Sequence, residues 1–358
     1  MGIVIAHGPL RDFVAGIFVA AGSRDEEARQ IADHLVDANL AGHDSHGIGL
    51  VPAYLVHRQA GWVHPNREPL RVGGSGPFAV FDGQMGYGHP IANAVTAETA
   101  RIAADNGVAI VTLRNVQHIG RVGAYAEQLA ARGLISIHFV NAVYDEPCVA
   151  PYLGSDARLM TNPVCIAMPS SAPGVPPVLL DFATSGIAMG KVRVAYNKGV
   201  PVAPGRLIDH AGQPTQSPAA LFEAPKGALL PFGDHKGWGL AFIAELLGGG
   251  LTGGPTADQE RPRQGLVNGM LTLAFDPKRL DDSSPFGGIV ERLTAYVKAS
   301  PPADPAAPVL VPGEPEVAMR RERGEAGIPV DDTTWKQIVA GAGRLGVAVP
   351  TVTVQQGD

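Results

Sequence analysis

The sequence predicts an α/β protein in two parts, a mainly helical domain assembled from the two ends of the chain and a sheet-based domain between them. Three observations carry this. At 358 residues the chain is long for a single hydrophobic core. Apolar residues recur at helical spacing from Pro9 to Arg58, and from Phe78 onward short β-like runs alternate with helical stretches. Hydrophobic residues make up 45% and charged residues 17%, a balance that excludes a disordered chain. The expected limits are residues 1–75 with 290–358 for the helical domain and 76–289 for the α/β domain with a mixed sheet.

Each element has a local reason. Pro9 opens a first helix over residues 9–21, and Gly22 stops it. Ser23 and Glu26 form a capping-box pattern for a second helix, which carries Ala28, Ile31, Ala32, Leu35, Val36 and Leu40 on one face. A third helix over residues 48–58 places Tyr54 about two turns after His46. Strands are expected at residues 78–81, 108–113, 134–140 and 178–182, and helices at 91–105 and 121–131. A helix at 236–247, a strand at 270–275 and a last helix at 334–345 follow, with the proline-rich residues 300–308 as an extended connector. The run Gly248-Gly249-Gly250-Leu251-Thr252-Gly253 matches G-x-G-x-x-G, but it follows a helix and precedes Gly254-Pro255. A dinucleotide turn needs the reverse order, so a glycine-rich helix terminus is expected there.

The formal net charge is −6 with no long basic run, which argues against a nucleic-acid surface or an anionic membrane as partner and for a small ligand. Arg11 and Asp12 interrupt the N-terminal apolar pattern, and no apolar run approaches the ~18 residues of a spanning helix, so a soluble cytoplasmic protein is expected. Cys148 and Cys165 do not make a disulfide framework and are expected to be buried thiols.

Chemistry concentrates in three clusters at predicted element boundaries: His43-Asp44-Ser45-His46-Gly47, His118-Ile119-Gly120-Arg121-Val122-Gly123 and Asp234-His235-Lys236-Gly237. An imidazole beside glycine lets a ligand approach closely, and histidine exchanges protons near neutral pH. A metal reading would add His118 or His89 to His43 and His46, but no CxxC or HExxH accompanies them, and no metal is expected. A Ser-His-Asp hydrolase reading of Asp44, Ser45 and His46 lacks a G-x-S-x-G elbow. The strand-to-helix turn at Gly120 suggests an anion site built from backbone amides, with Arg121 adding charge. Lys236 stands at a helix start, against the dipole, where an anionic ligand would explain it. Thr161-Asn162-Pro163 and Asp181-Phe182-Ala183-Thr184-Ser185 flank short apolar strands with groups that suit a nucleotide.

Together with Leu310-Val311-Pro312-Gly313-Glu314, these motifs give six ordered matches by which the chain resembles the type 2 malate/L-lactate dehydrogenase family, and within it the hydroxycarboxylate dehydrogenase B branch. The resemblance covers nearly the whole chain. It implies a homodimeric NAD(P)-dependent oxidoreductase, NAD first and NADP second, interconverting 2-oxo and 2-hydroxy acids on a nucleotide-binding fold that is not Rossmann. The α/β domain then becomes the cofactor-binding domain.

Carried over by position, the cofactor contacts are His46, Gly120, Arg121, Val122, Val178, Leu179, Leu180, Asp181, Phe182, His235, Lys236, Asn268, Gly313, Glu314, Pro315 and Glu316. The acid/base candidates are His46 first and His118 second, with Ser45 orienting an imidazole and Tyr54 lining the substrate pocket. Many relatives carry an arginine where this chain has Leu50. That departure removes a carboxylate clamp, favours an apolar substrate side chain, and leaves Arg121 to serve either substrate or cofactor. The rival expectations are a cyclic imino-acid reductase on the same fold, a nucleotide-binding protein without turnover, and a metal-dependent hydrolase.

Overall fold

The computed structural model describes residues 2–170, 175–259, 265–280 and 286–355. The chain opens with β1 (Gly2–Ile5), α1 (His7–Ala20), α2 (Asp25–Leu40), α3 (Val51–Gln59), β2 (Leu70–Gly73) and β3 (Phe78–Asp82). It continues through α4 (Gly88–Asn106), β4 (Val108–Gln117), α5 (Gly123–Ala130), β5 (Ile135–Val143), β6 (Pro163–Met168), β7 (Val178–Ala183) and α6 (Met189–Lys198). Three two-residue strands, β8 (Leu207–Ile208), β9 (Pro214–Thr215) and β10 (Ala228–Leu229), form a small sheet of their own. The remainder is α7 (His235–Ala244), β11 (Val267–Phe275), α8 (Phe286–Lys298), α9 (Glu314–Ala326), β12 (Ile328–Asp331), α10 (Asp332–Arg344) and β13 (Thr353–Gln355).

The main sheet has seven strands in the order β2-β3-β4-β11-β5-β6-β7. Only β3 and β4 pair in parallel, across the α4 crossover; every other neighbouring pair is antiparallel, so the sheet is mixed. β11 lies between β4 and β5, with Leu271 opposite Thr112 on one side and Phe139 on the other. α4 and α5 bury Val95, Ile102, Tyr125 and Leu129 in one core with Val111, Leu113 and Met270 of the sheet. A second core joins Phe13, Ile17, Phe18, Ile31, Leu35, Val51 and Tyr54 to Ile328, Trp335 and Ile338 from the far end of the chain. Each fully buried side chain of this size contributes about 1.5–3 kcal/mol.

Two local expectations are corrected. The second helix has Arg24, not Ser23, at its N-cap and no side-chain cap; Asp25, Glu26 and Glu27 instead face the positive end of its dipole. Residues 313–316, where no helix was expected, contribute Glu314, Pro315 and Glu316 to the first turn of α9, with Gly313 as N-cap at φ 98°.

The G-x-G-x-x-G run is the end of α7, continuing as a wide turn over Glu245–Gly249 and a tight one over Gly250–Thr252. It packs on the sheet. A Cβ on Gly248 would lie 2.5 Å from the backbone nitrogen of Asn141, so glycine there is a requirement of helix-to-strand contact.

Candidate active site

β4 ends at Gln117, and the next residues turn the chain into α5. Two buried side chains clamp this turn. Asn268 accepts the Ile119 N–H at 2.9 Å and donates to the Asn141 carbonyl at 2.8 Å, which commits both ends of its amide. His34 of α2 accepts the Arg121 N–H on Nε2 at 2.9 Å. Between them Gly120 adopts φ 71°, and a Cβ there would stand 2.3 Å from His34 Nε2.

The loop after α2 reaches the same place. Asp44–His46 form one tight turn, held by Arg323 on both carboxylate oxygens of Asp44 at 2.6 and 3.0 Å, and by Asn39 Nδ2 at 2.6 Å. Asn39 Oδ1 also accepts the Ile48 N–H at 2.8 Å. The Asp44 carboxylate is thus bound to an arginine and an amide, and the Ser-His-Asp relay does not form. Ser45 Oγ sits 2.9 Å from His46 Nδ1.

Here the two clusters meet. The His46 and His118 rings stack with centroids 5.5 Å apart and planes 27° apart. The Tyr54 hydroxyl lies 2.6 Å from His118 Nδ1 and 3.4 Å from His89 Nε2, and His89 in turn lies against His34 at 4.4 Å. Tyr54 is buried, and its hydroxyl faces the His118 and His89 imidazoles. Leu50 packs on the N-terminal core.

Four imidazoles in two ring pairs, bridged by the Tyr54 hydroxyl, favour the neutral state. Burial is the largest cause, and His43 and Arg121 add to it in pushing His46 down to about 4. Burial, His46 and His89 hold His118 well below the usual histidine range; burial and Arg121 do the same to His34, and burial and His34 to His89.

Arg121 is 3% exposed, and its Nη2 lies 2.7 Å from Glu127, which also binds Arg320 at 2.9 Å. Burial raises the Glu127 carboxyl, but the two arginines outweigh it and hold it below its ordinary range. Arg121 Nη1 is buried without a hydrogen-bond partner. At the start of α5 the Gly123 N–H donates to the Asp181 carboxylate at 2.8 Å. Burial raises the Asp181 carboxyl against the opposing pull of Arg121 and that amide.

Asp181 belongs to β7, the edge strand that also carries Val178, Leu179, Leu180 and Phe182. The Leu179 N–H donates to the Pro312 carbonyl at 3.1 Å, bringing β7 to the start of α9. Pro176, Pro177, Leu179, Gly313, Val317, Glu127 and Arg320 line a cavity of about 350 Å³ there. Glu314 pairs with Lys298 and accepts the Val311 N–H, while Glu316 pairs with His43 at 3.1 Å. His235 and Lys236 are exposed at the start of α7; His235 meets Tyr152 edge-on at 5.8 Å and shares no ring contact with the four imidazoles. Thr161–Pro163 serve the interior: Asn162 accepts the Ala142 N–H and donates to buried Glu245 at 2.7 Å.

Sequence reasoning missed His34, Glu127 and Arg320. A histidine inside the apolar face of α2 was the available signal for the first; the other two lie on helical faces that read as ordinary charged surface. Among the described residues no group of three His, Cys, Asp or Glu side chains converges as a metal-ligand set, and no helix is long and apolar enough to cross a membrane.

Comparison with known proteins agrees with this architecture. Residues 5–339 match the family model of malate/L-lactate dehydrogenase. Hydroxycarboxylate dehydrogenase B of Escherichia coli (strain K12) is 44% identical over 346 residues, covering 96% of this chain and 94% of its own length. The L-lactate dehydrogenase of Cupriavidus necator is 37% identical, covering 95% of this chain and 96% of its own. The solved structure of sulfolactate dehydrogenase from Methanocaldococcus jannaschii superposes with a TM-score of 0.86 at 30% identity, over 96% of this chain and 98% of that one. By its sequence over nearly its full length and by its fold, the chain belongs to the malate/L-lactate dehydrogenase family of oxidoreductases.

Proposed function

We propose that the protein interconverts a 2-oxo acid and the corresponding 2-hydroxy acid with a nicotinamide dinucleotide, NAD(H) before NADP(H), using an imidazole as acid and base. The observation that carries the reading is the stacked pair of His46 and His118 beside the Gly120–Val122 turn, with His118 gripped by Tyr54 at 2.6 Å. When bound, the nicotinamide ring supplies or accepts the hydride.

The residues present fit such a cofactor. The unpartnered, buried Nη1 of Arg121 is a cationic donor suited to a phosphate oxygen, and the cavity between β7 and α9 has the size and apolar lining of a nucleobase site. Gly120, Arg121 and Val122, the strand Val178–Phe182, Asn268 and Gly313–Glu316 would surround the nucleotide, with His46, His235 and Lys236 toward its other end. Asn268 contributes by shaping the turn. The support for a non-Rossmann site is topological: with β11 antiparallel between β4 and β5, the sheet lacks the doubly wound parallel half that a Rossmann site requires.

In this reading His118 ranks ahead of His46 as proton donor, because its ring is oriented by a buried tyrosine and follows a strand, while His46 is bonded to exposed Ser45 on a one-turn loop. His46 contacts cofactor and substrate, and Ser45 orients it. A neutral imidazole is ready to take the proton of a hydroxy acid during oxidation. Reduction needs the imidazolium, and the negative charge of a bound oxo acid favours it. The bound pair therefore takes up a proton from solvent. Arg121, buried against Glu127, serves the nucleotide and not the substrate carboxylate.

A second copy of the chain completes the proposal. α7 exposes Phe242 and Ile243, the turn after it exposes Leu246, and α8 exposes Leu293 and Tyr296, apolar side chains that a second copy would cover. We assign the protein to the cytoplasm, where its two buried free thiols stay reduced.

The test is a screen of pyruvate, oxaloacetate, 2-oxoglutarate, phenylpyruvate and a cyclic imino acid with NADH and NADPH, cofactor binding being measured separately by calorimetry. Turnover of a 2-oxo acid, lowered roughly 10²- to 10⁴-fold by His118→Asn with cofactor affinity kept, is the expected result. Binding without turnover would mark a nucleotide-binding protein, and turnover of the imino acid alone an imine reductase. A larger loss in His46→Asn than in His118→Asn would exchange their roles.

A further inference from the structure

The G-x-G-x-x-G run has no part in the proposed chemistry, but the residue it packs on reaches the site. Asn141 of β5 is buried and lies opposite Gly269 of β11. On the other side of β11 the ladder slips at the same point: Arg114 and Asn115 of β4 together stand against Gly269, and Asn115 takes φ 52°. A bulge of this kind re-aims the side chains beside it. Asn141 grips two consecutive residues there. Its Oδ1 accepts the Gly269 N–H at 2.9 Å, and its backbone carbonyl accepts Asn268 Nδ2 at 2.8 Å. Asn268 Oδ1 in turn accepts the Ile119 N–H at 2.9 Å, one residue from His118.

We propose that Asn141 is a positioning residue: acting through Gly269 and Asn268, its amide fixes the Ile119 end of the turn and with it the place of His118. The inference rests on the reading of His118 as proton donor.

The position requires a carboxamide. Its oxygen must accept from Gly269, and its nitrogen must donate, because it faces the Pro255 carbonyl at 2.9 Å and Glu245 Oε1 at 3.3 Å. Glu245 is itself buried and fixed, accepting the Ala257 N–H at 2.8 Å and Asn162 Nδ2 at 2.7 Å, so the amide cannot turn over. An aspartate of the same shape would set an oxygen against two acceptors. The glycine run makes the room, since a Cβ at Gly249 would stand 2.4 Å from Asn141 Nδ2. The effect is confined to one half of the turn. Beyond Gly120 the Arg121 N–H is held by His34, so the residues toward the nucleotide keep a clamp of their own. Loss of the Asn141 amide therefore moves the proton donor and spares the cofactor. A displacement of about 1 Å at the reacting group costs on the order of 10²-fold in rate.

Steady-state kinetics, calorimetry of cofactor binding and amide hydrogen exchange by NMR in the cofactor-free protein test this together. Asn141→Asp should lower kcat by about ten- to a hundredfold, with KM for the oxo acid and cofactor Kd kept. Exchange should quicken at Gly269 and Ile119 but not at Arg121. Gly249→Ala, whose methyl group displaces the amide, should act in the same direction. Asn268→Ala should lower kcat as well, and adding Asn141→Asp to it should cost nothing further. A folded Asn141→Asp with kcat unmoved, however much stability it has lost, overturns the proposal. So does a cofactor Kd that weakens in step with kcat, or losses that multiply in the double variant. If Asn141→Asp does not fold, Gly249→Ala and Asn268→Ala decide, and kcat unmoved in either breaks the path. Absence of turnover on every oxo acid would refute the function, while exchange at Gly269, Ile119 and Arg121 continues to decide the linkage.

Discussion

Lowering the pH from 7 to 5 should cost this fold at least the ~1.9 kcal/mol of one buried neutral histidine. His34, His89 and His138 are buried and neutral in the folded state. His138 shows why: its two ring nitrogens face the hydroxyls of Thr272 and Ser136 at 3.0 and 3.1 Å, and burial pushes it down to about 3. A group whose folded pKa is depressed contributes stability above its unfolded value, near 6.5, and loses it as the pH falls toward the folded one. Between pH 7 and 5 the unfolded chain takes up protons that the folded chain refuses, which costs about 1.9 kcal/mol per histidine. That figure holds for His138, and His34, His89 and His118 are depressed in the same direction and add to the loss. Carboxylates change this little: Glu127 loses its contribution only below the ordinary glutamate range, and the raised Asp181 acts with the opposite sign. Urea unfolding at pH 7, 6 and 5, followed by both tryptophan fluorescence and circular dichroism, measures the fall. His138→Gln should remove about 1.9 kcal/mol of that fall. A fall smaller than the ~1.9 kcal/mol of one histidine would refute the reasoning, as would normal titration of these rings by NMR.

Two further outcomes follow from packing. Gly248→Ala should destabilise the protein by about 1–3 kcal/mol in urea, because its methyl group would meet the Asn141 backbone and not a movable side chain. Arg323→Met should release Asp44 and loosen the turn carrying Ser45 and His46, lowering kcat/KM by up to about 10²-fold at unchanged helix content by circular dichroism.

Much of this architecture was legible because periodicity is local. α1, α2, α4 and α10 bury one face, and β3, β4, β5, β7 and β11 are apolar runs between turn signals; all fall close to where the spacing placed them. α9 was invisible, since none of its residues is buried and it carries no apolar stripe. α8 lacks a buried residue as well. β1 pairs with β12 and β13, short strands more than 320 positions away, which no local pattern announces. The site divides the same way. His46 and His118 stand out as His-Gly clusters, yet their stacking across 72 positions depends on how the two cores meet. Tyr54 was placed in the right neighbourhood, but its hydroxyl is turned toward imidazoles. His89 was weighed only as a metal ligand, and His34 reads as part of an amphipathic helix. The capping box failed because three acidic residues in the first turn already satisfy the dipole.

The placement of β11 governs how the protein is made. β4, α5 and β5 emerge from the ribosome together, but the strand that separates β4 from β5 begins 124 residues after its Val143 partner. At 5–20 residues per second that is an interval of about 6–25 s. Throughout it, two long apolar strands hold open a gap one strand wide, with every facing N–H and C=O unpaired. A nascent chain in that state is a chaperone substrate, and its hazard is closure of β4 directly onto β5, the parallel pairing that their shared direction permits. Synonymous codons that slow translation between residues 143 and 267 should therefore lower the yield of folded protein, although the finished molecule would be identical.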